Sequence, residues 1–438
     1  MPSGLIPAGW RALSVRSGTG KPAAIAQRIT RLLPLEDIDA VRLAARFYIQ
    51  FDEFAIRDLT ALTAFVLDQP ELKNAFARNA IRAPVLEPAA MGTQSSALVT
   101  FPLPDLSSMR DVGLWLSLFD HEVEWFADRQ SRQRAVTKPC LHHYRYAWIK
   151  KRSGGLRLIE APKSRLKTIQ RSILHGILNR VPPHPAAHGF CRGRTIKTFV
   201  APHLGQQSLL RLDLKDFFVS VPVPRVSAVF RSLGYPADVA WLLQGLCTTC
   251  MSPALAGDQI NELAHAVRER LQSKHLPQGA PSSPALANLC AWHLDCRLQG
   301  LADRYELQYT RYADDLAFSG PSSALARRAD FLESMVGAIA IEEGFCLNHR
   351  KTRLRQSSQR QSLAGVVVNT KYNMRRCDWD LLKATLHNCV RYGPATQNRH
   401  EHKDFKAHLA GRLAHATWLN KNRATKLQAL WQQIDWDD

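Results

Sequence analysis

Tyr312-Ala313-Asp314-Asp315 constrains this chain more than any other stretch. Residues 307–311 before it and 316–319 after it read as short strands, so the two acids fall on a hairpin turn. Adjacent carboxylates repel, and a fold that holds them there calls for a cation to offset the charge. A polar turn is the bland alternative, since aspartate is common in turns. Two upstream features favour the cation. Asp213 ends a strand-like run over 208–212, and Leu276-Pro277-Gln278-Gly279-Ala280-Pro281-Ser282-Ser283-Pro284 is a turn-rich loop that opens a helix. A sheet that sets the strands side by side brings Asp213, Asp314 and Asp315 together. Three carboxylates offer the hard oxygen ligands that Mg²⁺ prefers. Two such ions can activate a hydroxyl and stabilise a leaving pyrophosphate. Gly279 has no Cβ, which lets a flat base or sugar approach closely.

Composition agrees with a polyanion partner. The formal net charge is +20, and from Arg350 to the C-terminus 17 Lys/Arg stand against 7 Asp/Glu. The 438 residues suffice for two or three domains with a substantial core. No apolar run of about 18 residues is present, so neither a membrane span nor a membrane partner is expected. The N-terminus lacks the pattern of a secretory signal, and nine scattered cysteines read as reduced thiols, which together point to the cytoplasm. Cys247-Thr-Thr-Cys250 has zinc-knuckle spacing but no second pair, so it reads as buried small apolar residues.

Residues 1–135 read as a mostly helical N-terminal extension, with helical spacing of apolar residues over 38–47 and 59–67, a linker over 82–108 and a helix over about 109–134. Two strands, 144–151 and 156–160, flank the turn Ser153-Gly154-Gly155, and Lys150, Lys151 and Arg157 near its tip suit a polyphosphate. A basic amphipathic helix starts near Ser164. Helices are expected at about 224–247, 258–273, 284–303 and 323–343, a strand at 363–369, and a basic helical tail over about 378–434.

Taken in order, Asp213 with Phe218, the Gln278-Gly279 loop and Tyr312-Ala313-Asp314-Asp315 resemble the successive core motifs of reverse transcriptases. The resemblance runs from about Tyr144 to Trp436. It implies an α+β, right-hand polymerase fold: fingers over 136–205, a palm with an antiparallel sheet over 206–370, and a short, basic helical thumb over 371–438. It implies that Asp213 and Asp314 are the principal ligands of two Mg²⁺ ions, with Asp315 assisting. Lys150 or Lys151, with Arg157, would hold the triphosphate of a dNTP. Phe218 would be the aromatic gate against a ribose 2′-OH, and Gln278 and Gly279 would line the incoming nucleotide. Lys351 falls where the family often has a lysine near the leaving pyrophosphate.

Within the family the chain is most similar to bacterial retron enzymes, through Ala187-His188-Gly189-Phe190 and Gly193-Arg194-Thr195-Ile196. Asn261 and His265 stand where those enzymes carry an Asn-Ala-x-x-His element, with Glu262 in place of the alanine. Leu363-Ala364-Gly365 stands where they carry Val-Thr-Gly, and only Gly365 matches. With Arg412 of the tail, Asn261, His265 and Gly365 are the candidate RNA contacts. The resemblance implies RNA template and primer, RNA–DNA hybrid and dNTPs as partners, a branched RNA–DNA product (msDNA) primed from a guanosine 2′-OH, and antiphage defence with an effector protein. Two alternatives are another bacterial reverse transcriptase, defence-associated or group II intron-like, and a non-catalytic RNA-binding scaffold.

Overall fold

The structure, a computed structural model, describes residues 35–50, 68–77, 90–92 and 101–436 apart from 137, 152–153 and 253–256, with a few single positions upstream. The chain divides into two units, Met1–Pro88 and Ala89–Asp438. In the first, the helix Asp37–Gln50 buries Ala40, Leu43, Ala44 and Phe47, the three-and-four spacing of one helical face. Phe47 meets Phe65 edge-on at 5.9 Å, and Arg46 ties this helix to Gln69 and Glu71 at the start of the helix Pro70–Ala77. Of the helical stretch expected at 59–67, all but 64 and 65 lies outside the described residues.

The second unit is built on a four-stranded antiparallel sheet, in which the strand 315–320 lies between 308–312 and 208–213, and 208–213 pairs on its other side with 353–356. Its strands are β3 (Ser208–Asp213), β4 (Gln308–Tyr312), β5 (Asp315–Gly320) and β6 (Arg353–Gln356). Alternation sorts the two faces. Leu210, Leu212, Leu316 and Phe318 pack with Val226, Phe230, Leu243, Leu286, Leu294 and Val336 of the surrounding helices in the largest core. Leu209 and Ala317 face the other way, against Phe199, Val200, Leu363, Val366 and Leu419. Upstream, β1 (Tyr144–Lys150) and β2 (Leu156–Pro162) form a separate hairpin. Downstream, the helices Arg376–Tyr392, Phe405–Leu419 and Lys421–Trp431 enclose their own core of Trp379, Leu382, Leu386, Leu409, Leu413 and Leu427.

Several expected elements are shorter than their hydrophobic period suggests. The helix expected at 109–134 is two, Met109–Leu116 and Asp120–Ala127, because Ser117 turns left-handed (φ 54°) and Leu118 N–H closes on the Gly113 carbonyl. The 224–247 stretch breaks into Val223–Ser232 and Ala237–Cys247 at Gly234 (φ 94°) and Pro236. The 258–273 stretch is a 3₁₀ turn and then the helix His265–Gln272. The 284–303 helix breaks at Ala291 into Ser283–Cys290 and Trp292–Arg304, and the 323–343 helix begins only at Ala329. The strand expected at 363–369 is instead a small hairpin, β7 (Ser362–Leu363) and β8 (Val366–Val367). Ala364 (φ 44°) and Gly365 (φ 84°) form its two-residue turn, and positive φ at both positions is the requirement of a type I′ turn. No helix among the described residues is long and apolar enough to cross a membrane.

Candidate active site

The three acids gather at one end of the sheet. In the β3–β5 ladder Asp213 stands directly opposite Asp315, and Tyr312 pairs with Asp315 to close the β4–β5 hairpin. Ala313 and Asp314 are its two loop residues. Only Ala313 has positive φ (55°), the pattern of a type II′ turn, which leaves Asp314 in ordinary backbone. The turn is fastened from three sides. The Asp314 carbonyl accepts from Leu214 N–H at 2.8 Å. Gly189 lies against the turn so closely that a Cβ there would sit 2.6 Å from Ala313 N. Arg311 reaches back from β4 to the Ala313 carbonyl at 3.1 Å.

Each acid has a different electrostatic setting. Asp213 is 4% exposed, accepts from Lys351 Nζ at 2.9 Å and from Asn348 Nδ2 at 3.2 Å. Asp315 accepts from Nε and Nη2 of Arg211 at 3.0 and 2.6 Å. Among the described residues Asp314 has no such cation in contact. Burial, then the charges of Asp213 and Asp315, push its carboxyl up to about 6, with Lys351 opposing. Among the described residues no group of three His, Cys, Asp or Glu closes tightly enough to cage a metal ion. The site does fit a hard divalent cation chemically: its donors are carboxylate oxygens, and Asp314 carries the raised proton affinity that added positive charge would relieve. In this structure Lys351 pairs with Asp213 and Arg211 with Asp315.

Beneath the turn lies a buried polar network. Arg311 and Asp295 are both fully buried and paired through two hydrogen bonds of 2.7 and 2.6 Å. Tyr309 Oη donates to Asp295 at 2.8 Å. Arg311 also donates to Asn288 Oδ1 at 2.9 Å, and Asn288 Nδ2 donates to the Gly189 carbonyl at 2.8 Å. The network thus joins two helices, β4 and the 187–190 segment to the acidic turn.

The β1–β2 hairpin comes to the same region. Its register pairs Lys150 with Leu156 and Ile149 with Arg157, so Lys150 and Arg157 project from opposite faces. Lys151, past the strand end, reaches Asp216, three residues beyond Asp213, at 3.5 Å. Gln278 accepts Glu160 N–H on its carbonyl at 2.9 Å. Gly279 has φ 135°, and a Cβ on it would stand 3.0 Å from the Glu160 carbonyl, so the close approach it allows here is that of β2. Glu160 is fully buried and bonds His275 Nε2 at 2.8 Å. Burial opposes the charge on His275, but Glu160 outweighs it and holds the imidazole above its usual range.

Phe218 is half-buried and contacts Phe217 at 5.5 Å and Phe190 at 6.3 Å between ring centroids. The candidate RNA contacts sit on other elements, and none hydrogen-bonds with the three acids. Asn261 and His265 are exposed around the start of the helix His265–Gln272, Gly365 is at the exposed β7–β8 turn, and Arg412 is half-buried on Phe405–Leu419. Cys247 and Cys250 are buried, with Cys250 Sγ donating to the Gln272 carbonyl at 2.8 Å.

Residues 149–368 match the family model described as "Reverse transcriptase (RNA-dependent DNA polymerase)". The retron Mx65 reverse transcriptase of Myxococcus xanthus is 38% identical over 330 residues, which cover 75% of this chain and 72% of that one. The chain belongs to the reverse transcriptase family. A second relative of retron type, the retron Ec86 enzyme of Escherichia coli, is 33% identical over 53% of this chain and 65% of its own. Solved structures similar to this reverse transcriptase include a foamy viral protease-reverse transcriptase in complex with RNA/DNA hybrid (TM-score 0.30, 14% identity, 57% of this chain, 25% of that one). A telomerase from Candida albicans is another (TM-score 0.35, 11% identity, 73% and 59%). As a reverse transcriptase of retron type, the protein is an RNA-directed DNA polymerase with a right-hand, α+β architecture and an N-terminal helical region.

Proposed function

We propose that this reverse transcriptase copies a cognate structured non-coding RNA with dNTPs, starting from a guanosine 2′-OH and leaving a branched RNA–DNA product, in antiphage defence beside an effector protein. The observation that carries the polymerase site is the β3–β5 register, with Asp213 opposite Asp315 and Asp314 on the adjoining turn. Asp213 and Asp314 would hold two Mg²⁺ ions, with Asp315, kept in place by Arg211, as the assisting charge. When bound, such ions favour ionisation of the attacking hydroxyl and offset charge on the departing pyrophosphate.

The remaining roles belong to the chain's own side chains. Lys151 and Arg157 bind the triphosphate by charge-assisted hydrogen bonds, with Lys150 adding charge from the other face. Gln278 and Gly279 flank the nucleotide base, and Phe218 meets its sugar. Lys351, 2.9 Å from Asp213, is positioned to give a proton to pyrophosphate once freed from that carboxylate. The division into fingers (136–205), palm (206–370) and thumb (371–438) follows from this reading. The basic helices after Arg376 then contact duplex phosphates, with Arg412 among them, while Asn261, His265 and Gly365 touch the cognate RNA. Residues 1–135 take an RNA or partner contact.

The retron part of the reading is supported by the likeness to retron enzymes over three quarters of the chain. Its test is to purify the protein from its host and sequence the nucleic acid that accompanies it. A DNA joined to a small RNA through a 2′ linkage is expected, resistant to ribonuclease only at the branch. Recovery of RNA with no attached DNA would contradict the retron assignment and favour another class of bacterial reverse transcriptase.

A further inference from the structure

Phe190 combines two costly properties. Its backbone is left-handed (φ 59°), which bulky side chains rarely adopt, and its ring is 56% exposed. Strain of this kind persists where the surroundings enforce it, and it gathers at functional sites. Here the enforcement is visible. The carbonyl just before it, on Gly189, accepts from Asn288 at 2.8 Å and lies 3.2 Å from Cys191 Sγ. His188 N–H donates to the Arg311 carbonyl at 2.7 Å, and Arg194 donates to the His184 and Pro185 carbonyls at 2.9 and 3.0 Å. Gly189 is pressed against the acidic turn with no room for a side chain. The segment is therefore fixed to the same network that supports Asp314.

The ring presented in this way touches two others. Phe218 lies at 6.3 Å and 57°, and Tyr312 at 6.3 Å and 40°, both within the range of attractive tilted pairs. Phe218 itself also contacts the buried Phe217. A half-buried phenylalanine is held by its neighbours, and of the two rings beside Phe218 only Phe190 is on the solvent side.

We propose that Phe190 is a positioning residue for sugar selection, whose ring keeps Phe218 in the rotamer that meets the 2′ position of an incoming nucleoside triphosphate. The inference rests on the reading of Phe218 as the sugar gate. A gate discriminates only if it cannot swing aside, and Phe190 blocks the exposed side on which it would swing. The strain at Phe190 is then the cost of placing an aromatic ring where a relaxed backbone would not carry one.

The test is single-nucleotide incorporation of dGTP and GTP on a primed RNA template, with melting temperatures, for wild type, Phe190→Gly, Phe190→Tyr and Phe218→Ala. Glycine is at ease at this φ, so Phe190→Gly should melt no lower than wild type. Its preference for dGTP over GTP should nonetheless fall about tenfold, the scale of one lost apolar contact in a specificity pocket. Phe190→Tyr should keep the preference. If Phe190→Gly keeps wild-type preference while Phe218→Ala loses it, the gate stands and the role of Phe190 is overturned. A Phe190→Tyr variant as unselective as Phe190→Gly would overturn it as well. If Phe218→Ala leaves the preference unchanged, the gate reading itself falls and takes the proposal with it.

Discussion

Asp314→Asn is expected to reduce nucleotide incorporation by about 10³-fold or more while making the metal-free protein more stable at neutral pH. The two effects have one origin. Asp314 is buried beside two other carboxylates, and its carboxyl is pushed up to about 6 from an unfolded value of 3.8. Between those values the folded state holds a proton that the unfolded state has released. Stability therefore declines as pH rises from about 4 to about 6 and stays reduced above that. That rise corresponds to roughly 3 kcal/mol, an upper figure because the site can relax. Asparagine carries no charge at any pH, so the variant lacks this penalty. Urea unfolding in EDTA should show wild type and variant converging near pH 4 and separating by pH 7, with the variant more stable. A variant less stable than wild type at pH 7 to 8 would mean that the three acids do not burden one another as described.

Arg311→Met is expected to cause the largest loss of stability of any change near the site. It leaves Asp295 fully buried with its charge uncompensated, which costs about 3–5 kcal/mol. Asp295→Leu should cost a similar amount, because it strands the guanidinium. The double variant should recover most of the loss, since a buried ion pair is often replaceable by apolar side chains of like volume. Incorporation should not recover with it, because the bonds from Arg311 to the Ala313 carbonyl and to Asn288 are gone in both. Unfolding and incorporation measured over the four members of this cycle separate the two contributions. Arg311→Met within about 1 kcal/mol of wild type would contradict the buried-pair account.

The acids were legible in the sequence because their chemistry is local and their order along the chain matches strand ends. Asp213 and Asp315 needed only an antiparallel pairing to face one another. Arg211 was also within reach: it lies two residues before Asp213, so alternation puts it on the same face, where it meets Asp315. The buried support was not. Arg311 in a strand reads as a solvent-facing residue, and its partners Asp295 and Asn288 lie 16 and 23 residues upstream on helices. No periodicity links such positions. Glu160 and His275 are hidden in the same way, 115 residues apart. Among the elements, Gly234 and Pro236 were visible breakers of the 224–247 helix. Ala291, by contrast, interrupts the next long helix through a small change in backbone angles (φ −87°, ψ 8°) that leaves the apolar period intact. Phe190 carries no sequence sign of its positive φ, which arises from what holds the residues around it.

The most direct measurement is primer extension by the purified protein on a primed RNA template, with dNTPs and Mg²⁺, beside Asp213→Asn. The wild type is expected to synthesise DNA complementary to the RNA, and Asp213→Asn, folded to the same extent, is expected to make none above background. Extension that survives in Asp213→Asn would contradict the site described here, and its absence from the wild type on every RNA template, the co-purifying RNA included, would contradict the account as a whole.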